Sequence, residues 1–310
     1  LPAVPSTAAI WILPQPRIAL TSWASSKAER VTDSADLLQL QAPDGARATL
    51  SLFGGQLLSW STPDGLERFY LSPQAVRDGS AAIRGGVPVC WPQFNRRGPL
   101  PKHGFARLSR WRVQSQQADC AVLQLALDDV PAQLLHDAQG QTVWHHPFAL
   151  ELEVQLLPGA LALTLQARNT GDQPFRFTTA LHSYLAVDDI AALRIRGADG
   201  LRYWDAVAGA DPEFLQQQGD ITFSGETDRV YPRLPQVQLI EPGRQLWLEQ
   251  PDSMQQSVVW NPGAALCATL ADLPANDYRH FVCVEAAQID DEVELQPGAV
   301  WRGGQRLRLA

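Results

Sequence analysis

The run LELEVQL at residues 150–156 decides the fold class, because it alternates apolar and polar side chains without a break. Its apolar residues share one face of an extended chain, which is the pattern of a β-strand with one buried and one solvated side. The run LALTLQA at 161–167 repeats the pattern after Pro158-Gly159, a dipeptide typical of a tight turn. The two runs predict an antiparallel hairpin.

Short alternating runs recur along most of the chain. They lie around residues 237–239, 293–295 and 307–309, and they are separated by Pro-Gly pairs at 242–243, 262–263 and 297–298. Helical periodicity is limited to two short candidates, Pro73–Asp78 and Pro131–Ala138. Many short strands with few helices predict an all-β sandwich or barrel and argue against a parallel βαβ sheet.

The N-terminal residues lack this alternation. Residues 1–36 hold scattered Ser, Ala, Pro and charged residues without a sustained period, and they predict an irregular extension. We expect residues 37–310 to form one β-sandwich domain, since such domains often exceed about 200 residues as a single unit.

The charge balance favours a small partner over a polyanion. Lys and Arg number 25 and Asp and Glu number 33, which gives a net charge of −8 and a field that repels nucleic acid. A small anionic substrate is still compatible, because a few cations in a cleft set the local potential. We expect a monomer with a small-molecule substrate and no nucleic-acid partner.

The cysteines and the apolar runs bear on location. The 4 cysteines are scattered and form no CxxC pair, so neither a zinc site nor a disulfide framework is indicated. No apolar run approaches the roughly 20 residues needed to span a bilayer, and the proline-rich start lacks the basic residues of a signal peptide. The sequence predicts a cytoplasmic protein without a membrane partner.

The most unusual stretch consists of AIRGGVPVCWPQF at 82–94 and PKHGFAR at 101–107. Its prolines and glycines exclude a regular ladder, whereas Trp91, Phe94 and Phe105 are poorly suited to a freely solvated loop. An ordered loop that lines a cleft fits both features.

Charged and polar side chains in this loop could bind an anion or a sugar. Arg84, Lys102 and Arg107 could converge on phosphate oxygens, although ordinary surface cations would explain them equally well. His103 could hydrogen-bond a sugar hydroxyl, and a merely exposed loop position is its alternative.

Two later segments carry candidates for proton transfer. His182 lies in FRFTTALHSYL (175–185) on the polar face of a predicted strand, a face that suits either a cleft or an outer surface. Glu285 interrupts the apolar run FVCVEAA (281–287), which is typical of a strand covered on both sides. An unpaired buried carboxylate would cost several kcal/mol, so Glu285 should be paired, functional or both. Asp205 follows Tyr203-Trp204 and could face a sugar ring.

Taken together, these segments resemble the hexose-6-phosphate mutarotases, or glucose-6-phosphate 1-epimerases, of the galactose mutarotase and aldose 1-epimerase superfamily. The resemblance runs from about Gly54 to the C-terminus and rests on blocks in the family's order, which are IRGGVPVCWP (83–92), KHGFAR (102–107), LHSY (181–184), VVWNP (258–262) and VCVE (282–285). It implies a β-supersandwich of large twisted antiparallel sheets, with the site in a cleft and no metal or organic cofactor.

The resemblance also implies roles for single residues. Glu285 is similar in position to the family's general base and His182 to its general acid. Three cations match the phosphate-binding positions, and three further residues match positions near the sugar ring; the first set is Arg84, Lys102 and Arg107 and the second is His103, Gln93 and Asp205. The segment Gln93-Phe94-Asn95 is less typical of the family than its surroundings.

The chemistry agrees with these residue types. Mutarotation takes a proton from the anomeric hydroxyl and gives one to the ring oxygen, so one carboxylate and one histidine suffice, with the histidine charged where neighbouring charges favour the imidazolium. The expected function is interconversion of the α and β anomers of a hexose 6-phosphate, such as glucose 6-phosphate. The alternatives are a mutarotase of unphosphorylated aldoses, a glycan hydrolase or lyase, and a non-catalytic carbohydrate-binding or regulatory module with Trp91 and Trp204 as stacking surfaces.

Overall fold

The computed structural model describes residues 36–137, 139–207 and 214–310. The predicted N-terminal extension therefore lies outside the described residues, except for Asp36. Within the described part, almost all of the regular secondary structure is β-strand, as the alternation predicts. In chain order they are β1 (Leu37–Gln41), β2 (Arg47–Ser51), β3 (Gln56–Ser61), β4 (Val89–Cys90), β5 (Arg112–Gln116), β6 (Cys120–Ala126), β7 (Phe148–Leu157), β8 (Ala160–Asn169), β9 (Phe175–Leu181), β10 (Tyr184–Ala186), β11 (Arg194–Arg196), β12 (Arg202–Asp205), β13 (Phe214–Gln216), β14 (Thr227–Tyr231), β15 (Gln236–Glu241), β16 (Arg244–Glu249), β17 (Gln256–Asn261), β18 (Phe281–Leu295) and β19 (Val300–Leu309).

The described strands form three antiparallel sheets. An 8-stranded sheet, called the site sheet below, has the order β13-β12-β14-β17-β18-β9-β4, and β10 also pairs with β18. A second 8-stranded sheet, called the back sheet, has the order β11-β15-β16-β19-β8-β7-β6-β5. A 3-stranded sheet, β1-β2-β3, precedes them. The predicted all-β fold of large antiparallel sheets is confirmed.

The core lies between these sheets. One continuous apolar cluster contains Val284 and Ala286 of the site sheet, Leu165 of the back sheet, and Leu50 and Trp60 of the small sheet. Because each strand buries alternate residues, one face of every sheet contributes to this cluster. The site sheet therefore has its other face free to carry functional groups.

The predicted hairpin is present as β7 and β8, joined by Pro158-Gly159. The apolar residues of LELEVQL are all buried, while Glu151 and Glu153 between them are half-exposed. Gly159 has φ 63°, a left-handed conformation that glycine adopts at little cost. Sequence alternation and turn chemistry thus fix this register together.

Helical structure is sparse among the described residues. One short α-helix, α1 (Gly263–Cys267), and four 3₁₀ turns occur, at Ala106–Leu108, Leu127–Asp129, Ala132–Leu135 and Asp277–His280. The predicted helix at 131–138 is a 3₁₀ turn over Ala132–Leu135, and Ala138 lies outside the described residues. The predicted helix at 73–78 is wrong. Its backbone is tied to the neighbouring loop instead, since Ser72 N–H donates to the Arg84 carbonyl and Ser72 Oγ accepts from Gln74 N–H.

Candidate active site

His182 and Glu285 lie directly opposite each other on adjacent strands. β18 pairs with β9 through Leu181↔Ala286 and with β10 through Tyr184↔Cys283, so the register does not shift across the gap. This places the His182 and Glu285 side chains on the same face of the site sheet. The His182 Nε2 atom is 3.3 Å from Glu285 Oε1.

The predicted single strand over 175–185 is broken at His182–Ser183, between β9 and β10. The backbone there bonds to the 82–94 loop: His182 N–H donates to the Pro88 carbonyl at 3.0 Å and Tyr184 N–H to the Gly86 carbonyl at 2.8 Å. Ser183 N–H, the donor that leaves the ladder, bonds to the Leu181 carbonyl at 3.0 Å, so no backbone N–H at 182–184 is left without a partner by the break. The break also brings the cation-bearing loop against the proton-transfer candidates.

Burial and charge set the protonation of the pair. The Glu285 side chain is 2% exposed, and burial raises its pKa well above the usual range, with the Asp228 carboxyl adding to the shift. Burial lowers the pKa of His182 to about 3, and Arg84 and Arg107 contribute. Both shifts favour the uncharged forms of the pair, in which Glu285 carries the shared proton and the imidazole is neutral. The neighbouring charges thus disfavour the imidazolium that simple mutarotase chemistry would use.

The loop cations lie close enough to affect one another. Burial lowers the pKa of Lys102, and the guanidinium groups of Arg107 and Arg84 lower it further. Arg84 donates from Nε and Nη2 to the Asp272 carboxylate at 3.0 and 3.1 Å, and from Nη1 to the Tyr184 hydroxyl at 2.9 Å. Arg107 donates from Nη2 to the Lys102 carbonyl at 2.8 Å, and its buried Nε has no partner among the described residues.

His103 is buried beside His182, with ring centroids 5.5 Å apart. Asn95 N–H donates to its Nδ1 at 3.3 Å, and the Cys90 thiol lies 3.2 Å from the same atom. Burial lowers the pKa of His103, and the positive charges nearby lower it further. Since Nδ1 accepts, the hydrogen of the neutral ring is assigned to Nε2, which leaves a donor for a ligand.

Gln93 and Asp205 have hydrogen bonds to residues close to them in the chain. Gln93 Oε1 accepts from Leu100 N–H at 3.0 Å, and its Nε2 donates to the Asn95 and Leu100 carbonyls. Asp205 Oδ1 accepts from Val207 N–H at 3.1 Å. Of the residues expected near the sugar ring, His103 has a ring contact with His182, and Asp205 lies close enough to Asp228 to add to the rise of its pKa.

The structure adds two residues to the site that the sequence did not suggest as candidates. Asp228 pairs in register with Trp260, and both lie on the same face of the site sheet as Glu285. Burial raises the pKa of Asp228 to about 6, with Glu226 adding to the shift. Trp260 packs edge-on to the His182 ring at 6.0 Å. Trp260 belongs to the block VVWNP that carried the family resemblance, whereas the polar neighbours of Asp228 give no sign of its burial.

Aromatic rings complete the wall around His182. The Tyr184 ring stacks on the imidazole with centroids 4.9 Å apart and planes at 12°. Trp91, by contrast, is fully buried among Phe105, Trp144 and Phe148 on the core side. Within the described residues, no three His, Cys, Asp or Glu side chains are grouped to hold a metal ion.

Comparison with known proteins identifies the family. The sequence profile described as Aldose 1-epimerase matches residues 36–308. The chain belongs to this aldose 1-epimerase family. It is accordingly an epimerase, an isomerase that acts on a sugar.

Relatives of this epimerase carry more specific names. A protein from Cenchrus ciliaris is 34% identical over 84% of this chain and 81% of its own length, and one from Escherichia coli K12 is 32% identical over 91% and 92%. Both are called "Putative glucose-6-phosphate 1-epimerase". The crystal structure of a "putative mutarotase (YeaD)" from Salmonella typhimurium superposes with a TM-score of 0.75 at 29% identity, over 88% of this chain and 90% of that one.

No helix in the described part of the epimerase is long and apolar enough to cross a membrane.

Proposed function

We propose that this epimerase interconverts the α and β anomers of a hexose 6-phosphate, with glucose 6-phosphate as the simplest substrate. The observation that carries the proposal is the position of Arg84, Lys102 and Arg107 around a buried His182–Glu285 pair. The names of its relatives point to the same substrate.

The charge of the loop cations supports phosphate as their ligand. Within the described ranges Arg84 is paired with Asp272, but no carboxylate forms an ion pair with Lys102 or Arg107. Uncompensated positive charge that is partly removed from water is costly, so these two cations are available to an anion. The Arg107 Nε–H and the Lys102 ammonium are donors suited to phosphate oxygens.

The proton transfers follow from the pair. Glu285 as carboxylate takes the proton of the anomeric hydroxyl, and His182 as imidazolium gives a proton to the ring oxygen. The ring opens to the aldehyde, the carbonyl group rotates, and the reverse transfers close the ring on the other face. Moving the shared proton from Glu285 to His182 creates both reactive forms without a proton from solvent.

The phosphate itself favours that internal transfer. The cations that lower the His182 pKa are the ones that would face the phosphate, which is largely dianionic at pH 7. A bound dianion offsets their field and so raises the imidazole pKa. An unphosphorylated aldose lacks this effect, which favours the phosphorylated substrate over free glucose.

Neighbouring groups suit the remainder of the sugar. The Nε2–H of neutral His103 can donate to a ring hydroxyl, and Asp228 can accept from another. Tyr184 and Trp260 offer apolar ring surface beside the imidazole. Trp91 is buried in the core and cannot serve as a stacking surface, whereas the half-buried Trp204 lies beneath the Arg97 guanidinium at 5.5 Å.

The substrate assignment is tested by Arg107→Ala. We expect the KM for glucose 6-phosphate to rise about 10- to 100-fold, as for the loss of a charge-assisted contact, while exchange of free glucose changes little. Magnetisation-transfer NMR measures both rates, and Arg168→Ala, at an exposed cation of the back sheet, is the control for the loss of one positive charge. Equal effects of Arg107→Ala on the two sugars would contradict phosphate recognition.

A further inference from the structure

A buried glutamine of the back sheet contacts the backbone behind the His182–Glu285 pair. Gln305 in β19 is 3% exposed. Its Oε1 accepts the Ser183 Oγ–H at 2.5 Å, and its Nε2 donates to the Val284 carbonyl at 2.9 Å. Ser183 follows His182, and Val284 precedes Glu285. One amide thus joins the residues that flank both proton-transfer candidates.

The strand pairing of the site sheet is incomplete next to Gln305. The regular ladder between β18 and its neighbours stops at Leu181 and resumes at Tyr184, because Ser183 N–H donates to the Leu181 carbonyl at 3.0 Å instead of to β18. Across the gap, Val284 N–H donates to the Ser183 carbonyl at 3.2 Å. The separation of the two strands is therefore less constrained here than along the rest of the sheet.

We propose that Gln305 is a positioning residue, which holds the His182 imidazole and the Glu285 carboxylate at proton-transfer distance through Ser183 and the peptide that precedes Glu285. This inference rests on the function proposed above. Glutamine is suited to the task because its amide supplies one acceptor and one donor at the same end. An apolar side chain would leave the Ser183 hydroxyl and the Val284 carbonyl without this partner in the core.

The test is Gln305→Met, which keeps the length of the side chain and removes both hydrogen bonds. We expect kcat for glucose 6-phosphate exchange to fall about 10- to 100-fold, since small misplacements of reacting groups have effects of this size. The KM should stay within about twofold, because the cations that bind phosphate lie on the 82–107 loop. Ser183→Ala removes only the hydroxyl and should lower kcat by about 3- to 10-fold. This variant tests the positioning role if Gln305→Met does not fold.

Gln250→Met is the matched control. Gln250 accepts from Ser257 Oγ at 3.0 Å and donates to the Gln256 and Met254 carbonyls at 2.9 and 2.6 Å, a similar amide arrangement that contacts neither Ser183 nor Val284. We expect a lower Tm with unchanged kcat. A Gln305→Met variant that keeps the wild-type kcat, or loses it only as much as Gln250→Met, would overturn the positioning role alone. A wild type that does not accelerate exchange would overturn this inference and the proposed function together.

Discussion

Glu285 is a carboxyl group in surroundings that disfavour its charge. It is buried in the middle of β18, and the Asp228 carboxyl adds to the rise of its pKa. A group with a raised folded-state pKa is most favourable to stability while it is protonated, and the contribution is lost as pH rises. Function at this position is therefore expected to oppose stability.

Glu285→Gln should stabilise the protein at alkaline pH. The unfolded chain releases the Glu285 proton near pH 4.5, whereas the folded protein retains it, so wild-type stability falls relative to the variant as pH rises above this value. We expect a gain of about 1–3 kcal/mol for the variant at pH 8 and little difference at pH 4. Denaturant unfolding at both values measures it. A variant that is less stable than wild type at pH 8 would contradict the buried, protonated carboxyl.

At the scale of elements, the alternation of apolar and polar residues predicts the strands, because burial of one face selects apolar side chains at every second position. The β7–β8 hairpin follows from its period and its Pro-Gly turn. The break at His182–Ser183 could not be predicted, because Leu181 and Leu185 keep the same parity across it, and the broken segment is held by hydrogen bonds to Gly86 and Pro88 in a distant loop. The partners that hold the site are non-local, and a sequence pattern reports only local periodicity.

The residues of the candidate site also differ in how far the sequence alone predicts them. The sequence indicates Glu285 as a candidate, because a charged residue inside an apolar run is unusual. Asp228 lies between polar neighbours, and its burial is imposed by the strands that pair with β14. Gln93 was placed near the sugar ring by resemblance alone, and the hydrogen bonds that occupy its amide become visible only once the 91–104 loop is folded.

The cation-bearing loop depends on a close backbone approach at Gly104. Gly104 has φ 70°, and a Cβ atom there would lie 2.2 Å from the Trp91 carbonyl oxygen. Gly104→Ala should therefore displace Lys102, His103 and Arg107 and lower kcat/KM for glucose 6-phosphate by at least about 100-fold. Steady-state exchange rates by NMR measure the effect.

Gly159→Ala is the control for backbone strain. Gly159 has φ 63°, but a Cβ atom there would meet nothing within 4 Å. It should cost about 1–2 kcal/mol of stability through the left-handed conformation and leave kcat/KM unchanged. If the two alanine variants affected activity equally, the close approach at Gly104 would not be what orders the loop.

At the scale of the whole molecule, the core-facing and outer faces of the sheets have different roles. The faces that meet in the core supply stability, and the opposite face of the site sheet carries Glu285, Asp228 and Trp260. The net charge of −8 would repel the proposed dianionic substrate at long range, so its attraction would have to come from the local cations. In the proposed function, substrate recognition therefore depends on one loop packed against one face of the site sheet.

The most direct test of the account follows anomer exchange of glucose 6-phosphate by magnetisation-transfer NMR at neutral pH, with wild type, Glu285→Gln and His182→Ala. The account predicts that wild type accelerates exchange and that each variant loses at least about 100-fold in kcat, because each removes one of the two proton-transfer groups. Retention of wild-type exchange by both variants would contradict the assignment of the catalytic pair, and an inactive wild type would contradict the proposed substrate.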